Sequence, residues 1–220
     1  MELFHFCLIP LMDLNLLNSI CDMCILQDNK EMENREKNNL KEYVTKADPE
    51  VNKLLRKGEA DVDGLFDGLF LYGKTPETLY RYLPNCNVNI LDNIYCDKGY
   101  LSCSKDSSKF IGKVDASDLA VLIIKIPHKT CRIDVNEILD GCNDEGEFIL
   151  PRETKLYEIR NSERFETEDG LTRFIDSVCP DERYRSLTDI YHIESITSYY
   201  LELREEMAKQ GEYELKDNGM

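Results

Sequence analysis

Hydrophobic positions change their spacing along the chain. Residues 1–26 form an apolar-rich run (Leu3, Phe4, Phe6, Leu8, Ile9, Leu11, Leu14, Leu16, Leu17) that Pro10 and Asp13 interrupt. A polar run over 29–41 follows, readable as a solvated helix or a linker. Leu40, Tyr43, Val44 and Ala47 then recur at i, i+3, i+4 and i+7, which is one face of a helix. Asp48 and Pro49 suit the N-cap and first position of a second helix, Val51, Leu54 and Leu55 supply its stripe, and Gly58 closes it. The stretch Asp63–Phe70 repeats a four-residue unit and suits a short amphipathic helix, so residues 1–72 read as mainly helical.

From residue 78 onward the spacing falls to two. Leu79, Arg81 and Leu83 alternate with Tyr80 and Tyr82, and Tyr100–Ser104 follows a Lys98-Gly99 turn. Leu119–Ile126 is the strongest strand signal, ended by Pro127. Residues 130–135, 147–150, 154–159, 190–196 and 199–203 complete a β-rich remainder. The charged stretch 161–188, with Phe174, Ile175 and Val178 at helical spacing, reads as an insertion between strands. The expected fold class is α+β. Its parts are an apolar arm over 1–30 and one domain over 31–204, followed by a frayed acidic tail over 205–220. Within the domain, a helical lobe spans about 40–72 and a β core about 78–204.

Charge removes several functions. Asp and Glu number 43 against 27 Lys and Arg, a net charge of −16, so a phosphate backbone or an anionic membrane surface is repelled and no nucleic-acid partner is expected. Nine cysteines at irregular spacings do not make a disulfide scaffold, and we expect most of these thiols to be reduced and buried and the protein to act in a reducing cytosol, with delivery as a secreted effector left open. Cys21 and Cys24 have metal-ligand spacing but no second pair, so no metal is expected. The N-terminal run lacks a basic start and a small-residue cleavage site, and it is too broken for a membrane span. It is expected to pack on the core, with a docking or export segment as the other reading.

Gly68–Thr75 (GLFLYGKT) matches the phosphate-loop expression in full. That loop needs a preceding strand, small residues between the glycines and a following helix. Here four bulky apolar residues stand between the glycines, and Pro84 follows soon after, so a triphosphatase is a minor alternative. No nucleophile elbow and no dinucleotide fingerprint occurs, and His192, inside a strand pattern, reads as structural.

Carboxylates and their neighbours carry the chemistry. Among the Glu-x-Glu pairs, only Glu145/Glu147 enters an apolar strand, where residues i and i+2 project to one face. Adjacent carboxylates raise each other's proton affinity and suit cation stabilisation or base catalysis. Ser102 and Ser104 flank Cys103 in an earlier strand, and Arg81 lies in Thr78-Leu-Tyr-Arg-Tyr82, earlier still. Arginine, then Ser-x-Ser, then Glu-x-Glu, each in a strand, with Leu150-Pro151-Arg152 continuing the last, resembles the arginine–serine–glutamate class of mono-ADP-ribosyltransferases, which includes many bacterial exoenzymes.

The resemblance runs from about residue 40 to 160 and implies the following. Two apposed, mainly antiparallel sheets form a split core that binds NAD as a substrate, beside a helical N-terminal lobe. Arg81 grips the pyrophosphate, and its planar fork suits bidentate anion contacts. Ser102 holds the nicotinamide ribose and positions Glu147, with Ser104 supporting the strand. Glu147 accepts from the ribose 2′-hydroxyl and stabilises the cation formed as nicotinamide leaves. Glu145 orients and deprotonates the acceptor, which in this class goes with a protein arginine. Cys103 stands where the class has Thr or Ser, and the turn over 136–144 has no aromatic residue for a protein target. The alternatives are an NAD glycohydrolase on the same fold and a non-catalytic acidic interaction protein.

Overall fold

The structure is a computed structural model that describes residues 14–45 (side chains from 29 onward), 50–59, 65–107, 114, 116–139, 146–178 and 193–209. In chain order these form α1 (Leu14–Thr45), α2 (Glu50–Lys57), β1 (Leu71–Lys74), β2 (Thr78–Pro84), β3 (Ile90–Leu91), β4 (Ile94–Cys96) and β5 (Leu101–Ser104). Then come β6 (Asp118–Lys125), β7 (Lys129–Asp134), α3 (Val135–Ile138), β8 (Glu147–Leu150), β9 (Lys155–Phe165), α4 (Glu168–Val178), β10 (Ser195–Glu202) and α5 (Glu205–Ala208). The fold class is α+β.

The strands lie in the order β1-β7-β8-β5-β2-β6-β10-β9-β4-β3. Every pair is antiparallel except β10 with β6. β6 is apolar on both faces, as a strand covered on both sides must be. Leu122 and Ile124 point one way, Leu119 and Val121 the other, and all four are fully buried.

The sheet is nearly severed at one place. β2 pairs with β6 along its whole length, yet with β5 only at Tyr80↔Ser104. Two halves result, and they pack into one core: Leu101, Cys103, Phe148 and Leu150 of the smaller half with Leu79, Leu83, Ala120, Leu122, Ile124 and Leu201 of the larger. The smaller half buries Tyr100, Ile133 and Ile149 with Leu40 and Tyr43 of α1, Leu55 of α2 and Phe66. The larger half buries Leu119, Val121 and Ile196 with Phe174 of α4.

Several boundaries differ from those expected. α1 runs unbroken from Leu14 through residue 30, so the described part of the arm and the polar run are one helix, while residues 1–13 lie outside the described residues. Residues 71–74, placed in the helical lobe, form a strand because β7 offers a partner for their backbone. The stretch taken as an insertion contributes to the sheet: β9 reaches Phe165 along β10, and α4 covers the sheet beyond it. β9 reads as polar because most of its residues beyond Glu158 are exposed, and backbone pairing rather than apolar alternation makes it a strand. The two strands expected over 190–203 are one, starting at Ser195, with 190–192 outside the described residues. α5 continues the core past residue 204 through buried Ala208. No helix among the described residues is long and apolar enough to cross a membrane.

Leu122 is fully buried at the centre of the shared core. Leu122→Ala should destabilise the chain by about 2–5 kcal/mol. Urea unfolding checks this, as a lower midpoint at unchanged slope.

Candidate functional site

The site forms where the sheet halves part. In β5, Leu101 and Cys103 turn into the shared core, which leaves Ser102 and Ser104 on the opposite face. The β5–β8 register sets Ser104 opposite Glu147 and Ser102 opposite Ile149. A cross-strand diagonal is within side-chain reach, and the Ser102 hydroxyl donates to Glu147 Oε1. Glu147 is only 5% exposed, although it begins its strand. Ser104 is fully buried and its hydroxyl accepts from the Asp106 amide at 3.0 Å, which tightens the exit from β5.

Arg81 approaches from β2, the strand on the other side of the near-break. Its Nη1 donates to the Ser102 carbonyl at 2.6 Å. Its Nη2 stands 3.9 Å from Asp97 Oδ2, and its buried Nε has no hydrogen-bond partner among the described residues. The structure therefore brings Arg81, Ser102, Ser104 and Glu147 together. Glu145 lies outside the described residues. Gly146, between the two glutamates, has φ +58°, and a Cβ there would stand 2.7 Å from Lys105 Cε, so the turn into Glu147 admits glycine.

A second layer, missed in the sequence, orders the first. Arg56 of α2 grips Asp97 with both arms, Nε to Oδ1 at 3.0 Å and Nη2 to Oδ2 at 2.8 Å. The Gly99 amide also donates to Asp97, at 2.9 Å. Burial by itself would push the Asp97 carboxyl up, but the Arg56 hydrogen bonds, the Arg81 and Arg56 charges and the Gly99 amide together hold it below the ordinary carboxylate value. One turn earlier on α2, Asn52 pairs with the Tyr100 backbone as a strand would. Its Oδ1 accepts from Tyr100 N at 2.8 Å and its Nδ2 donates to Tyr100 O at 3.1 Å. The Tyr43 hydroxyl of α1 donates to the same carbonyl at 3.2 Å. Tyr100 in turn donates to Asp67 at 2.7 Å, and Asp67 pairs with Arg152 at 2.8 Å. The i, i+4 spacing of Asn52 and Arg56 was the available signal, since it sets both on one face of α2.

Other candidates are placed elsewhere. Cys103 is buried, and burial pushes its thiol up to about 12, so it supplies no nucleophile at neutral pH. The phosphate-loop look-alike forms no phosphate cradle: Gly73 and Lys74 lie in β1, another strand follows, and buried Thr75 donates to the Pro127 carbonyl at 2.5 Å. No cluster of three His, Cys, Asp or Glu side chains able to hold a metal occurs among the described residues. His192 lies outside them.

No family model and no curated protein matches the sequence. Solved structures do. An ADP-ribosylating toxin, BECa, of a binary enterotoxin of Clostridium perfringens, solved with NADH, superposes with a TM-score of 0.50 at 14% identity, over 78% of this chain and 44% of that one. The catalytic domain of VahC from Aeromonas hydrophila gives 0.47 at 15% identity, over 76% of this chain and 97% of that one. Plx2a, an ADP-ribosyltransferase toxin from Paenibacillus larvae, gives 0.46 at 17% identity, over 77% and 85%. The fold is the one seen in BECa, an ADP-ribosylating toxin. The chain spans less than half of BECa.

The Asp97 pairing makes stability depend on pH. A carboxylate whose folded pKa lies below its unfolded value contributes stability above the unfolded pKa, and that contribution is lost as pH falls through the folded one. Wild type should therefore exceed Asp97→Asn in stability at neutral pH, and the gap should close as pH falls below about 4. Denaturant titrations of both proteins across that range check the sign.

Proposed function

We propose that this chain is an NAD-dependent mono-ADP-ribosyltransferase that breaks the nicotinamide–ribose bond and transfers ADP-ribose to a protein, on arginine. The carrying observation is the Ser102 hydroxyl on the Glu147 carboxylate, with Arg81 bound to the carbonyl of that same serine. The fold match supports the reading, and the relative solved with NADH is itself described as ADP-ribosylating.

The residues present fit such a substrate. Arg81 holds an Nε without a partner among the described residues and a planar fork of donors, suited to a diphosphate. Glu147, oriented by Ser102, accepts from a ribose hydroxyl and faces the positive charge that develops on the sugar. As the C–N bond breaks, its electron pair leaves with nicotinamide. The acceptor nitrogen then forms the new bond to that carbon, and its proton passes to Glu145. A fixed carboxylate beside developing charge in a water-poor cleft is worth several kcal/mol of barrier. Ser104, opposite Glu147 in the ladder, supports β5 and so keeps Ser102 on the diagonal to Glu147.

Nicotinamide release from NAD, with and without agmatine, tests this. Glu147→Gln should lower turnover by about 100-fold or more, and agmatine should raise wild-type turnover. Arg81→Lys should act chiefly on the NAD KM, raising it about tenfold by loss of the planar fork. Turnover that depends on Glu147 but ignores agmatine would mark a glycohydrolase or another acceptor. Absence of NAD consumption would return the chain to the interaction-protein reading.

A further inference from the structure

The outer face of the larger half-sheet is covered only in part. Leu79, Leu122, Ile124 and Leu201 turn into the shared core, so Tyr80, Ile123 and Tyr200 point away from it. Strand register sets these three side by side and adds Arg160, as Tyr80↔Ile123, Ile123↔Tyr200 and Tyr200↔Arg160. α4 covers the neighbouring part of this face, with Phe174 on Leu119, Val121 and Ile196. The row itself is left half-buried at Tyr80, Ile123 and Tyr200 and exposed at Arg160. Between α4 and the sheet lies a cavity of about 590 Å³ whose apolar walls are Ile123, Phe165, Phe174 and Tyr200. That volume and lining suit one large apolar side chain with room around it. Arg173 and Ser177, one helical turn apart, line the cavity from α4.

Cations dominate this face. Arg160 Cζ stands 3.3 Å from the centre of the Tyr200 ring, and Arg204 Cζ stands 3.7 Å from that of Tyr157. A guanidinium already stacked on a ring loses little further freedom when an anion binds it. Arg173 donates through Nε to the Asp169 carbonyl at 3.2 Å, and its two terminal nitrogens have no partner among the described residues. Lys125 is exposed and lies in register between Thr78 and Glu202. Against these stand Glu202, 3.6 Å from Arg204, and Glu163 at the cavity, while Arg164 and Glu166 pair with each other. Glu168, Asp169 and Asp176 of α4 do not line the cavity. The local balance is therefore positive on a chain whose net charge is −16.

That contrast selects the occupant. Surface charges act over about 8 Å at physiological salt. A short acidic segment feels the local cations, whereas a nucleic acid or an anionic membrane spreads over the acidic surface around them and is repelled. Exposed tyrosines and arginines around a cavity are also the composition of interface hot spots. We propose that this face docks an acidic segment of a protein partner, with one aromatic side chain in the cavity and carboxylates on Arg160 and Arg173. Tyr80 and Arg81 point to opposite faces of β2, so docking is separate from the site at Arg81 and Glu147.

Amide chemical shifts of the full chain, titrated with the blocked peptide acetyl-Glu-Asp-Phe-Glu-Asp-amide, test this. Shifts should cluster at Ile123, Arg160, Arg173 and Tyr200, and binding should weaken as salt rises. Alanine in place of the peptide's phenylalanine should weaken binding about fivefold or more. The joint change Arg160→Gln and Arg173→Gln should weaken it about as much. Both side chains are exposed, so that variant should keep the wild-type urea midpoint. Absent shifts, shifts spread over the whole chain, or equal binding of acetyl-Lys-Lys-Phe-Lys-Lys-amide overturn the proposal. Equal binding of the alanine peptide, or binding indifferent to the double change, does the same. Shifts on this face that grow with protein concentration alone mark a second copy as the occupant and also overturn it. The peptide comparison uses wild type alone, so it decides the matter independently of any variant and of NAD turnover.

Discussion

Pairing between β2 and β5 is confined to Tyr80 and Ser104, and the rest of the molecule is arranged around that constraint. A continuous ladder would carry Arg81 past Ser102 at fixed strand spacing and leave no opening. With one pair retained, the halves enclose a shared apolar core between them, and Arg81 spans the near-break by donating to the Ser102 carbonyl. The near-break costs ladder hydrogen bonds, and side chains take up part of that role. Asn52 supplies a peptide-like pair to Tyr100, and Asp97 accepts from Gly99 just before β5 begins.

Charges at the cleft are held in a chain, not singly. Arg56 fixes Asp97, Asp97 stands beside Arg81, and Arg81 holds the strand whose serine orients Glu147. Two guanidiniums near one another repel, and Asp97 between them offsets that cost in a place water screens poorly. The result is a positively charged corner and a carboxylate a few ångströms apart in a protein that is strongly acidic as a whole. Net charge describes the chain's surface, and the site is a local exception made by burial.

The two faces of the small half-sheet divide the labour. One face joins the shared core and sets the spacing of the strands. The other carries the serines and Glu147, together with the aromatic and aliphatic groups that seat α1, α2 and α3. α2 delivers Arg56 and Asn52 to the cleft, and α3 borders the strand bearing Glu147. The helical lobe is thus part of the site's support as well as a cover for the core.

Much of this could be read along the chain. Period-two alternation in Leu79–Leu83 and around Ser102, and the nearly unbroken apolar run Leu119–Ile126, identified strands, because one-sided and two-sided burial each leave a mark in the sequence. Those alternations also set Ser102 and Ser104 on one face and Cys103 on the other. Three things could not be read. β1 and the part of β9 beyond Ile159 are strands because partners lie alongside them, a non-local cause that their own residues do not reveal. The false phosphate loop became a packing device only once Arg132 arrived from a distant strand. The roles of Asp97 and Arg56, far apart in sequence, follow from which helix end meets which turn. Local pattern determined which apolar segments become strands and which of their faces are buried; tertiary packing alone decided which strands pair and which charges meet, because both depend on contacts between segments that no local period encodes.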